Sequence, residues 1–550
     1  MILRRFSQGI FLKKSSLLIL IPLALSAFTH IWNPVGFPYV YIDEDAYLQR
    51  ATILLEGHGF RDTLFNYDHP YFGQIFLASI FKMIGYPDSL IPWAAQGDVH
   101  AIEMIYLVPR VLMGLLAVVD TFLLYKISEN RYGRRIALFA SVLFAVMPIT
   151  WLVRSTLLDS ILLPFLLSSI LFALYTTTSK NKKNTITLLL SGIFLGLAIF
   201  TKLTVFAMIP LVAFIIYQKN KNLKLLSLWL MPVILLPLIW PIHALYIGEL
   251  NMWLQGMYFQ SHRPEEQIRR HVEQEPLINS IDTFFKIDPI LLILGTAGLI
   301  FAAIKKNLVL LLWTIPYLIF LYYLGFVQYF YLIQIVPPLC IATAILINQA
   351  SITVGKKIQR RINDYFMQLR INDYFSHRSI TSFKDQIRFF SKSLPDVIPF
   401  IIISVIAIQG LISTSQMITT NQNTSTFNAI AVATKYLSGI NNSGSNYNYK
   451  NNLTVISDIR YLWILEHLLY KDFNYKQYWD RTPVKTQKVF WILDDEYYGW
   501  ISTDGYGYGK QVVSAMQKIY NNTFPISEFS GNETVTENRV PSKIQIRTNL

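Results

Sequence analysis

Long apolar runs constrain this chain more than any other feature of its sequence. A helix of about 20 apolar residues crosses the ~30 Å hydrocarbon core of a bilayer. The mean hydropathy of +0.37 and the 15% of charged residues exclude a soluble enzyme and a disordered tether. The sequence therefore predicts an α-helical polytopic membrane protein with about eleven transmembrane helices. Their predicted positions are 15–32, 105–125, 136–152, 160–176, 185–201, 203–218, 225–246, 289–304, 307–324, 329–349 and 397–415.

Basic residues are distributed unevenly among the connections of these helices. The chain has 48 Lys and Arg against 34 Asp and Glu, a net charge of +14. Alternate connections are rich in Lys and Arg, above all the predicted inner loop at 351–396. Because cytoplasmic loops are enriched in these residues, we predict a multi-pass cell-membrane protein with a cytoplasmic N-terminus and an extracytoplasmic C-terminus. In this setting the positive charge indicates membrane lipids as partners and no nucleic acid.

Two outer loops and a C-terminal tail lie outside the predicted bilayer. The loops are at about 33–104 and 248–288, and they belong to a predicted membrane domain that covers residues 1–416. The first is too long to be a simple connector, so we expect it to carry function. The chain has a single cysteine, Cys340, which excludes intramolecular disulfides and a cysteine-built metal site.

The tail, residues 417–550, is predicted to form a small extracytoplasmic α/β domain. Its apolar runs Leu453–Ile456 and Lys488–Leu493 are typical of short buried strands, and Ile459–Tyr470 is typical of a helix. The N-glycosylation pattern Asn-x-Ser/Thr is confined to this tail, which favours modification there. The five acceptor positions are Asn423, Asn441, Asn452, Asn521 and Asn532.

An acidic cluster follows the first apolar run. Asp43, Glu44 and Asp45 stand close to the predicted outer end of that run. Carboxylates beside a membrane interface are candidates for a general base or a metal site, because neighbouring charges and partial burial shift their pKa. A solvated acidic turn is the alternative interpretation of the same pattern.

A second polar group, Asp68 and His69, precedes an apolar helical stretch that ends near Tyr86. Pro70 favours the start of a helix here. Asp68 is therefore a candidate either for a polar site or for the N-cap of that helix.

Three more charged residues lie near the same predicted membrane face. Arg154 and Asp159 stand between the third and fourth apolar runs, and Lys202 stands between the fifth and sixth. Charges at such depths are costly unless they are paired or face a polar cavity. We predict one polar cavity at the outer leaflet, with snorkelling of Lys202 as the alternative.

Seven short motifs, some of which contain the residues above, follow one another in a characteristic order along the chain. They are Asp43-Glu44, His69-Pro70, Arg110, Tyr132–Arg135, Arg154–Asp159, Gly196–Lys202 and Tyr331–Pro338. Together they resemble the GT-C superfamily of polyprenyl-phosphate-sugar glycosyltransferases, in particular its protein O-mannosyltransferase and aminoarabinose-transferase branch (glycosyltransferase family 39-like). The resemblance covers roughly residues 15–350, and the familiar His-Pro-Pro of that branch is His69-Pro70-Tyr71 in this chain.

The resemblance implies transfer of a monosaccharide, such as mannose, from a polyprenyl (dolichyl or undecaprenyl) phosphate donor. The acceptor would be a hydroxyl group of a protein, a glycan or a glycolipid on the extracytoplasmic side. Asp43 would be the catalytic base that takes the hydroxyl proton. The site residues implied beside it are the supporting acids Glu44, Asp68 and Asp159, the phosphate-binding cations Lys202, Arg154 and Arg263, and the substrate-binding residues His69 and Tyr331.

The sequence leaves the stereochemistry and the metal requirement open. One displacement assisted by one base would invert the anomeric centre, whereas Glu44 or Asp159 at about 5 Å from Asp43 would permit retention. A divalent metal ion between Asp43 and Asp159 is a further option, although no His-rich ligand set requires it.

Three other functions compete with this interpretation. An oligosaccharyltransferase would be expected to carry a Trp-Trp-Asp motif, and the sequence contains no Trp-Trp pair. A lipid-linked-glycan flippase or transporter predicts internal repeats with broken helices in matching halves, and no convincing halves are found. A membrane anchor for the tail gives no reason for about eleven spans.

Overall fold

The computed structural model describes residues 17–57, 59, 67–176, 182–263, 265, 276–372, 379–442, 453–469, 473–477, 488–495, 497, 510–530 and 543–550. The described part is mostly helical. Its helices are α1 (Leu20–Ile31), α2 (Ile42–Leu55), α3 (Phe72–Ile84), α4 (Ile91–Ala94), α5 (Val99–Tyr132), α6 (Arg134–Val146), α7 (Leu158–Tyr175), α8 (Lys182–Thr201), α9 (Ile209–Asn220), α10 (Leu223–Tyr246), α11 (Leu250–Ser261), α12 (Leu277–Ile287), α13 (Pro289–Ile304), α14 (Leu308–Leu324), α15 (Val336–Asn372), α16 (Ser379–Ile418), α17 (Thr424–Asn442), α18 (Ile459–Leu468) and α19 (Lys510–Asn521). Short 3-10 segments are Leu17–Ile19, Pro148–Arg154, Leu203–Met208 and Tyr329–Ile335.

The apolar helices confirm an α-helical polytopic membrane protein. In the described residues, seven helices are long and apolar enough to cross a bilayer, or up to nine if two bent pairs each form one span. Two further predicted spans fall on the shorter apolar helices Leu17–Ile31 and Leu308–Leu324. The criterion of length and composition thus gives fewer spans than the predicted eleven, because these two helices are short and two others are bent.

The core lies around two central spans. In Leu158–Tyr175 and Tyr329–Ile362, 78% and 89% of the most apolar window is buried inside the protein. In Leu223–Tyr246 and Leu394–Ile418 only 17% and 28% of that window is buried. These two peripheral spans therefore present apolar side chains outward, where lipid takes the place of a protein neighbour.

The predicted span 136–152 is not one straight helix. It is α6 followed by the 3-10 segment Pro148–Arg154, with a bend of 71° between them. Pro148 has no backbone N–H and cannot continue the helical hydrogen bonds. The carbonyl groups that the break leaves free accept from Thr29 Oγ1 at 2.6 Å and Thr414 Oγ1 at 2.8 Å. Side chains from distant helices therefore stabilise the bend within the membrane.

The predicted inner connection at 351–396 is largely helical in its described residues. The helices α15 and α16 extend through most of it and pack against each other. Their contact is close because a Cβ atom added to Gly355 would lie 2.7 Å from Pro395 Cα. Only glycine allows the two backbones to approach so closely.

The first predicted outer loop contains two helices, α2 and α3, that pack on each other. The helix predicted to end near Tyr86 is α3, and Gly85 ends it in the left-handed conformation with φ of 66°. This conformation is favourable for glycine, which has no Cβ atom. The second outer loop likewise carries the helices α11 and α12.

The C-terminal residues form the predicted α/β fold around one mixed sheet. Its strands are β1 (Leu453–Ser457), β2 (Asn474–Gln477), β3 (Lys488–Leu493), β4 (Phe524–Ser530) and β5 (Lys543–Thr548), in the order β2-β1-β3-β5-β4. Strand β1 pairs in parallel with β2 and β3, and β5 pairs antiparallel with β3 and β4. Helix α18 packs on α2, so this domain rests on the first outer segment.

Candidate active site

The three acids of the predicted cluster lie in the first turn of α2. Carboxylates in this position interact favourably with the positive end of the helix dipole. Successive helical side chains point about 100° apart, so Asp43, Glu44 and Asp45 face three different directions. Each of the three side chains therefore has different neighbours.

Glu44 forms a buried ion pair with Arg110 of α5. The Arg110 guanidinium donates to both carboxylate oxygens, at 2.9 Å and 2.6 Å, and also to the carbonyl groups of Pro34 and Pro38. The backbone N–H of Thr156 donates to Glu44 Oε1 at 3.1 Å. Since Glu44 is fully buried and fully occupied, the structure contradicts a role for it as a nucleophile beside Asp43. It instead fastens α2 to the membrane helices.

Asp45 connects the same helix to the C-terminal domain. Its Oδ1 atom accepts from the hydroxyl of Tyr106 and from the indole Nε1 of Trp463, both at 2.8 Å. Burial raises the pKa of Asp45 well above its usual range. A second contact lies nearby, where Arg460 Nη1 donates to Tyr39 Oη at 3.1 Å. The C-terminal domain therefore helps to fix the first turn of α2.

Asp43 remains as the unpaired acid of the three. Within the described residues its carboxylate has no hydrogen-bond or ion-pair partner. It is half-buried and burial raises its pKa, while the charges of Lys202 and Arg263 act in the opposite direction. A carboxylate that is partly desolvated, close to cations and free to accept a proton is suited to act as a general base.

Lys202, whose charge acts on Asp43, is held by a buried polar network. Its Nζ atom lies 2.6 Å from Asp159 Oδ2 and 3.5 Å from the centroid of the Tyr331 ring. The other oxygen of Asp159 accepts from Gln334 Nε2 at 2.8 Å, and Tyr317 Oη donates to Gln334 Oε1 at 3.0 Å. The ion pair and the ring position the ammonium group, which is inconsistent with snorkelling toward the interface.

The same contacts decide whether Asp43 and Asp159 could share a metal ion. Both oxygens of Asp159 already have protein partners, so the arrangement does not fit a metal ion shared by Asp43 and Asp159. Among the described residues, no group of three His, Cys, Asp or Glu side chains has the geometry to hold a metal ion. We therefore assign no step of the chemistry to these residues as metal ligands.

Asp68 and His69 belong to the same group of residues, since the charge of Asp68 acts on Asp43. Asp68 does not cap α3 but forms a two-pronged ion pair with Arg50, with both N–O distances at 3.0 Å. Burial is the largest single influence on Asp68 and opposes its ionisation. The charges of Arg50, His69 and Arg263 and the hydrogen bond from Arg50 together outweigh burial and lower the pKa of Asp68. Burial lowers the pKa of His69 to about 4, so its imidazole is neutral at pH 7. A neutral His69 can donate or accept one hydrogen bond to a sugar.

Arg263, from the second outer loop, supplies another positive charge to this group. Its guanidinium stacks 3.7 Å from the centroid of the Phe326 ring. Its charge acts on Asp43, on Asp68 and on His69. Within the described residues no carboxylate lies within ion-pair distance of it. This leaves the cation available for an anionic ligand.

Arg154 does not join the group. Its guanidinium donates to the backbone carbonyls of Thr29, Trp32 and Asn33 at the end of α1. It is 1% exposed and lies 5.5 Å from the centroid of the Phe37 ring. A cation at the C-terminus of a helix offsets the partial negative charge of its free carbonyl groups. The structure therefore gives Arg154 a structural role, which corrects the predicted phosphate contact.

The glycosylation positions have different surroundings. Asn423 is fully buried, and its amide group bonds to Val35, Pro38 and Val40. These contacts exclude a glycan on Asn423 in the folded protein, which corrects that prediction. Asn521 is exposed at the end of α19. Asn441 lies in the last turn of α17, while Asn452 and Asn532 lie outside the described residues.

Sequence reasoning missed several partners that define the site. Arg50 holds Asp68, and Gln334 orients Asp159. Gln334 had a detectable signal, since it is a polar residue within a predicted apolar span. Trp463 had none, because it lies far along the chain in a segment that the sequence linked to no membrane helix.

The fold and part of the sequence match known proteins. Residues 100–244 match the family model described as dolichyl-phosphate-mannose-protein mannosyltransferase. ArnT from Cupriavidus metallidurans, solved with bound undecaprenyl phosphate, has a TM-score of 0.51 at 11% identity over 97% of this chain and 98% of that chain. The Archaeoglobus fulgidus oligosaccharyltransferase in complex with Zn and sulfate has a TM-score of 0.52 at 11% identity, over 94% of this chain and 72% of that chain. A comparison with curated proteins gave no significant match.

These similarities confirm the resemblance that the sequence motifs indicated. The chain has the GT-C fold of polyprenyl-phosphate-sugar glycosyltransferases, with a small C-terminal sheet domain. At this level of identity the likeness defines the architecture, and the chemistry must be argued from the residues of the site.

The Asp45 contact leads to a prediction about Trp463. Trp463→Phe keeps an aromatic ring but removes one of two hydrogen bonds to a buried carboxylate, which costs about 1–3 kcal/mol. We expect a lower thermal unfolding temperature and a several-fold lower turnover, because the turn that carries Asp43 loosens. Trp491→Phe is the matched control, since the buried Trp491 Nε1 has no hydrogen-bond partner among the described residues. Equal effects of the two substitutions would show that the hydrogen bond to Asp45 does not matter.

Proposed function

We propose that this protein transfers a monosaccharide from a polyprenyl-phosphate donor to a hydroxyl group of an acceptor. The observation that carries the proposal is one unpaired carboxylate, Asp43, on which the charges of the cations Lys202 and Arg263 act. A transfer reaction of this kind needs a base on one side of the sugar and positive charge on the other. The GT-C fold of the chain supports the same conclusion.

The reaction follows from these positions. Asp43 accepts the proton of the acceptor hydroxyl as its oxygen attacks the anomeric carbon of the donor sugar. The bond between that carbon and the phosphate oxygen breaks, and the electron pair leaves with the lipid phosphate. Lys202 and Arg263 stabilise the negative charge that develops there. A single displacement with one base inverts the anomeric centre.

The other site residues have supporting roles in this proposal. Asp159 and Tyr331 hold the ammonium group of Lys202 in place. The Asp68–Arg50 pair forms one wall of the site, and neutral His69 bonds to a sugar hydroxyl without adding charge. We infer that the described residues do not provide the second carboxylate needed for retention, because Glu44, Asp68 and Asp159 are each paired with a cation.

The relatives indicate the donor and the sugar. ArnT was solved with undecaprenyl phosphate, and this chain covers almost all of its length, so we infer a lipid-phosphate donor of the polyprenyl type. The family model over residues 100–244 is named for dolichyl-phosphate mannose, which makes mannose the first hexose to test. A protein, a glycan and a glycolipid hydroxyl are the acceptor classes to compare.

The orientation of the chain is part of the proposal. The Lys- and Arg-rich connections favour a cytoplasmic N-terminus, with the candidate site and the C-terminal domain outside. A second candidate function is transfer of an oligosaccharide, which the fold similarity to the Archaeoglobus enzyme favours. The missing Trp-Trp pair argues against it, and a lipid-linked oligosaccharide included among the donors tests it directly.

The experiment that tests this function measures donor consumption. Purified protein in liposomes receives dolichyl- and undecaprenyl-phosphate sugars with a panel of acceptors, and free polyprenyl phosphate is quantified. We expect at least one donor to be consumed with release of the free lipid phosphate. If no donor is consumed, the transferase proposal is rejected, and movement of the intact donor between leaflets would favour a flippase.

The charges around Asp43 predict a pH effect. Asp43 acts as a base only when ionised, so transfer is lost as the pH falls through its pKa, which burial raises above 3.8. Arg263 lowers this pKa. We therefore expect Arg263→Gln to move the acidic limb of the kcat/KM profile to higher pH. Lys286→Gln, an exposed charge in α12, should leave the limb in place, and an unshifted limb in Arg263→Gln would separate Arg263 from Asp43.

A further inference from the structure

A basic pocket lies at the opposite end of the membrane domain from the candidate active site. The span Leu203–Asn220 begins beside Lys202 and has Gln218 near its other end. At 1.5 Å per residue these two positions are separated by about 25 Å, which is most of the bilayer core. The pocket at the Gln218 end has a volume of about 400 Å³. The two sites therefore face opposite sides of the membrane.

The lining of this pocket is cationic. Arg131 at the end of α5 and Lys305 and Lys306 between α13 and α14 all line it, together with the polar side chains of Gln218 and Asn307. None of the described residues that line it carries a carboxylate.

Glu129, the acid close to Arg131 at the end of α5, already forms ion pairs with other cations. Glu129 pairs with Lys126 at 2.9 Å and with Arg134 at 3.1 Å. Lys219 adds to the imbalance, because its charge and that of Arg131 repel each other. Like charges gathered around a pocket without an acid favour an anionic ligand.

The surroundings of the pocket distinguish a lipid from a soluble anion. The side chains of Ile304 and Leu308, which flank Lys305 and Lys306, are 71% and 48% exposed. Tyr217, next to Gln218, is 46% exposed. Exposed apolar residues at a helix end can contact acyl chains, while the neighbouring lysines contact the polar head group. A basic pocket between helix ends with an apolar rim fits a phospholipid.

We propose that this pocket binds the phosphate head group of an anionic phospholipid, on the membrane face opposite the candidate active site. The cations that line it provide the charge complement to the phosphate, and Gln218 and Asn307 provide hydrogen-bond donors. The inference does not depend on the proposed transferase function. It assigns to the two lysines between α13 and α14 a role beyond setting the topology.

The test compares two triple substitutions that remove equal charge. Arg131→Gln/Lys305→Gln/Lys306→Gln removes the pocket cations, whereas Lys356→Gln/Lys357→Gln/Arg360→Gln removes three exposed cations from the distal part of α15. Each protein is purified in phosphatidylcholine nanodiscs with a small fraction of phosphatidylglycerol, and retained lipid is counted by native mass spectrometry. Since cations near a membrane surface attract anionic lipids, we expect the pocket variant to retain phosphatidylglycerol at least about tenfold more weakly, and the control to match the wild type.

Two results would overturn the proposal. One is equal retention of phosphatidylglycerol by both triple variants, which would make the attraction a general surface effect. The other is its complete displacement by millimolar inorganic phosphate, which would identify a soluble anion as the ligand. The single variants Lys305→Gln and Lys306→Gln, at exposed positions, give the same readout with smaller loss if the triple variant is poorly folded.

Discussion

Asp43→Asn is expected to lower the turnover number for sugar transfer by about 10³-fold while the protein remains folded. A positioned general base contributes about 10²–10⁴-fold to such a reaction, and asparagine has nearly the same shape without a basic oxygen. The fold should tolerate the change because Asp43 has no hydrogen-bond partner within the described residues. The measurement is release of labelled sugar from the polyprenyl-phosphate donor, with thermal unfolding recorded on the same samples.

Two controls make this result specific. Asp282→Asn removes an exposed acid of α12 and should leave turnover unchanged. Binding of the free lipid phosphate should also be retained in Asp43→Asn, since the cations that receive it are intact. Wild-type turnover in Asp43→Asn would remove Asp43 from the mechanism.

Arg110→Met is expected to cause the largest loss of stability among the substitutions considered. Breaking one side of a buried ion pair leaves an uncompensated charge and costs about 3–5 kcal/mol. Here the arginine also donates to the carbonyl groups of Pro34 and Pro38, so the whole segment before α2 loses its anchor. We expect a large drop in the thermal unfolding temperature in detergent.

The double variant Arg110→Met/Glu44→Leu separates the two contributions. It removes the buried charge that the single variant leaves behind, so part of the lost stability should return. The carbonyl groups and the Thr156 N–H remain without their partners, so recovery should be incomplete. If Arg110→Met unfolded at the wild-type temperature, the buried pair would not anchor α2.

The sequence predicted the membrane architecture well because the bilayer imposes a simple rule on every span. The sequence did not predict the bend after α6. Pro148 alone does not indicate it, because the bend also depends on Thr29 and Thr414, which lie far away in the sequence. The sequence also did not predict how far α15 and α16 extend beyond the membrane. Hydropathy locates their apolar parts but does not show where their basic extensions end.

The site shows the same limit at the level of single residues. The sequence placed three acids together but could not sort them, because the sorting depends on partners 66 and 418 residues away, Arg110 and Trp463. It likewise grouped Arg154 with Lys202 by depth, whereas the C-terminal carbonyls of α1 bind the guanidinium of Arg154. Burial and charge give the candidates, but only three-dimensional contacts assign their roles.

The proposed mechanism depends on a single unpaired carboxylate, Asp43, on which the charges of the cations at the site act. The measurement that tests it most directly is the anomeric configuration of the product relative to the donor, determined by NMR after a single turnover with an isotope-labelled polyprenyl-phosphate sugar. We expect inversion, because a single base assists a single displacement. A product of retained configuration would require a second carboxylate as nucleophile and would contradict the assignment of Glu44, Asp68 and Asp159 to their ion pairs.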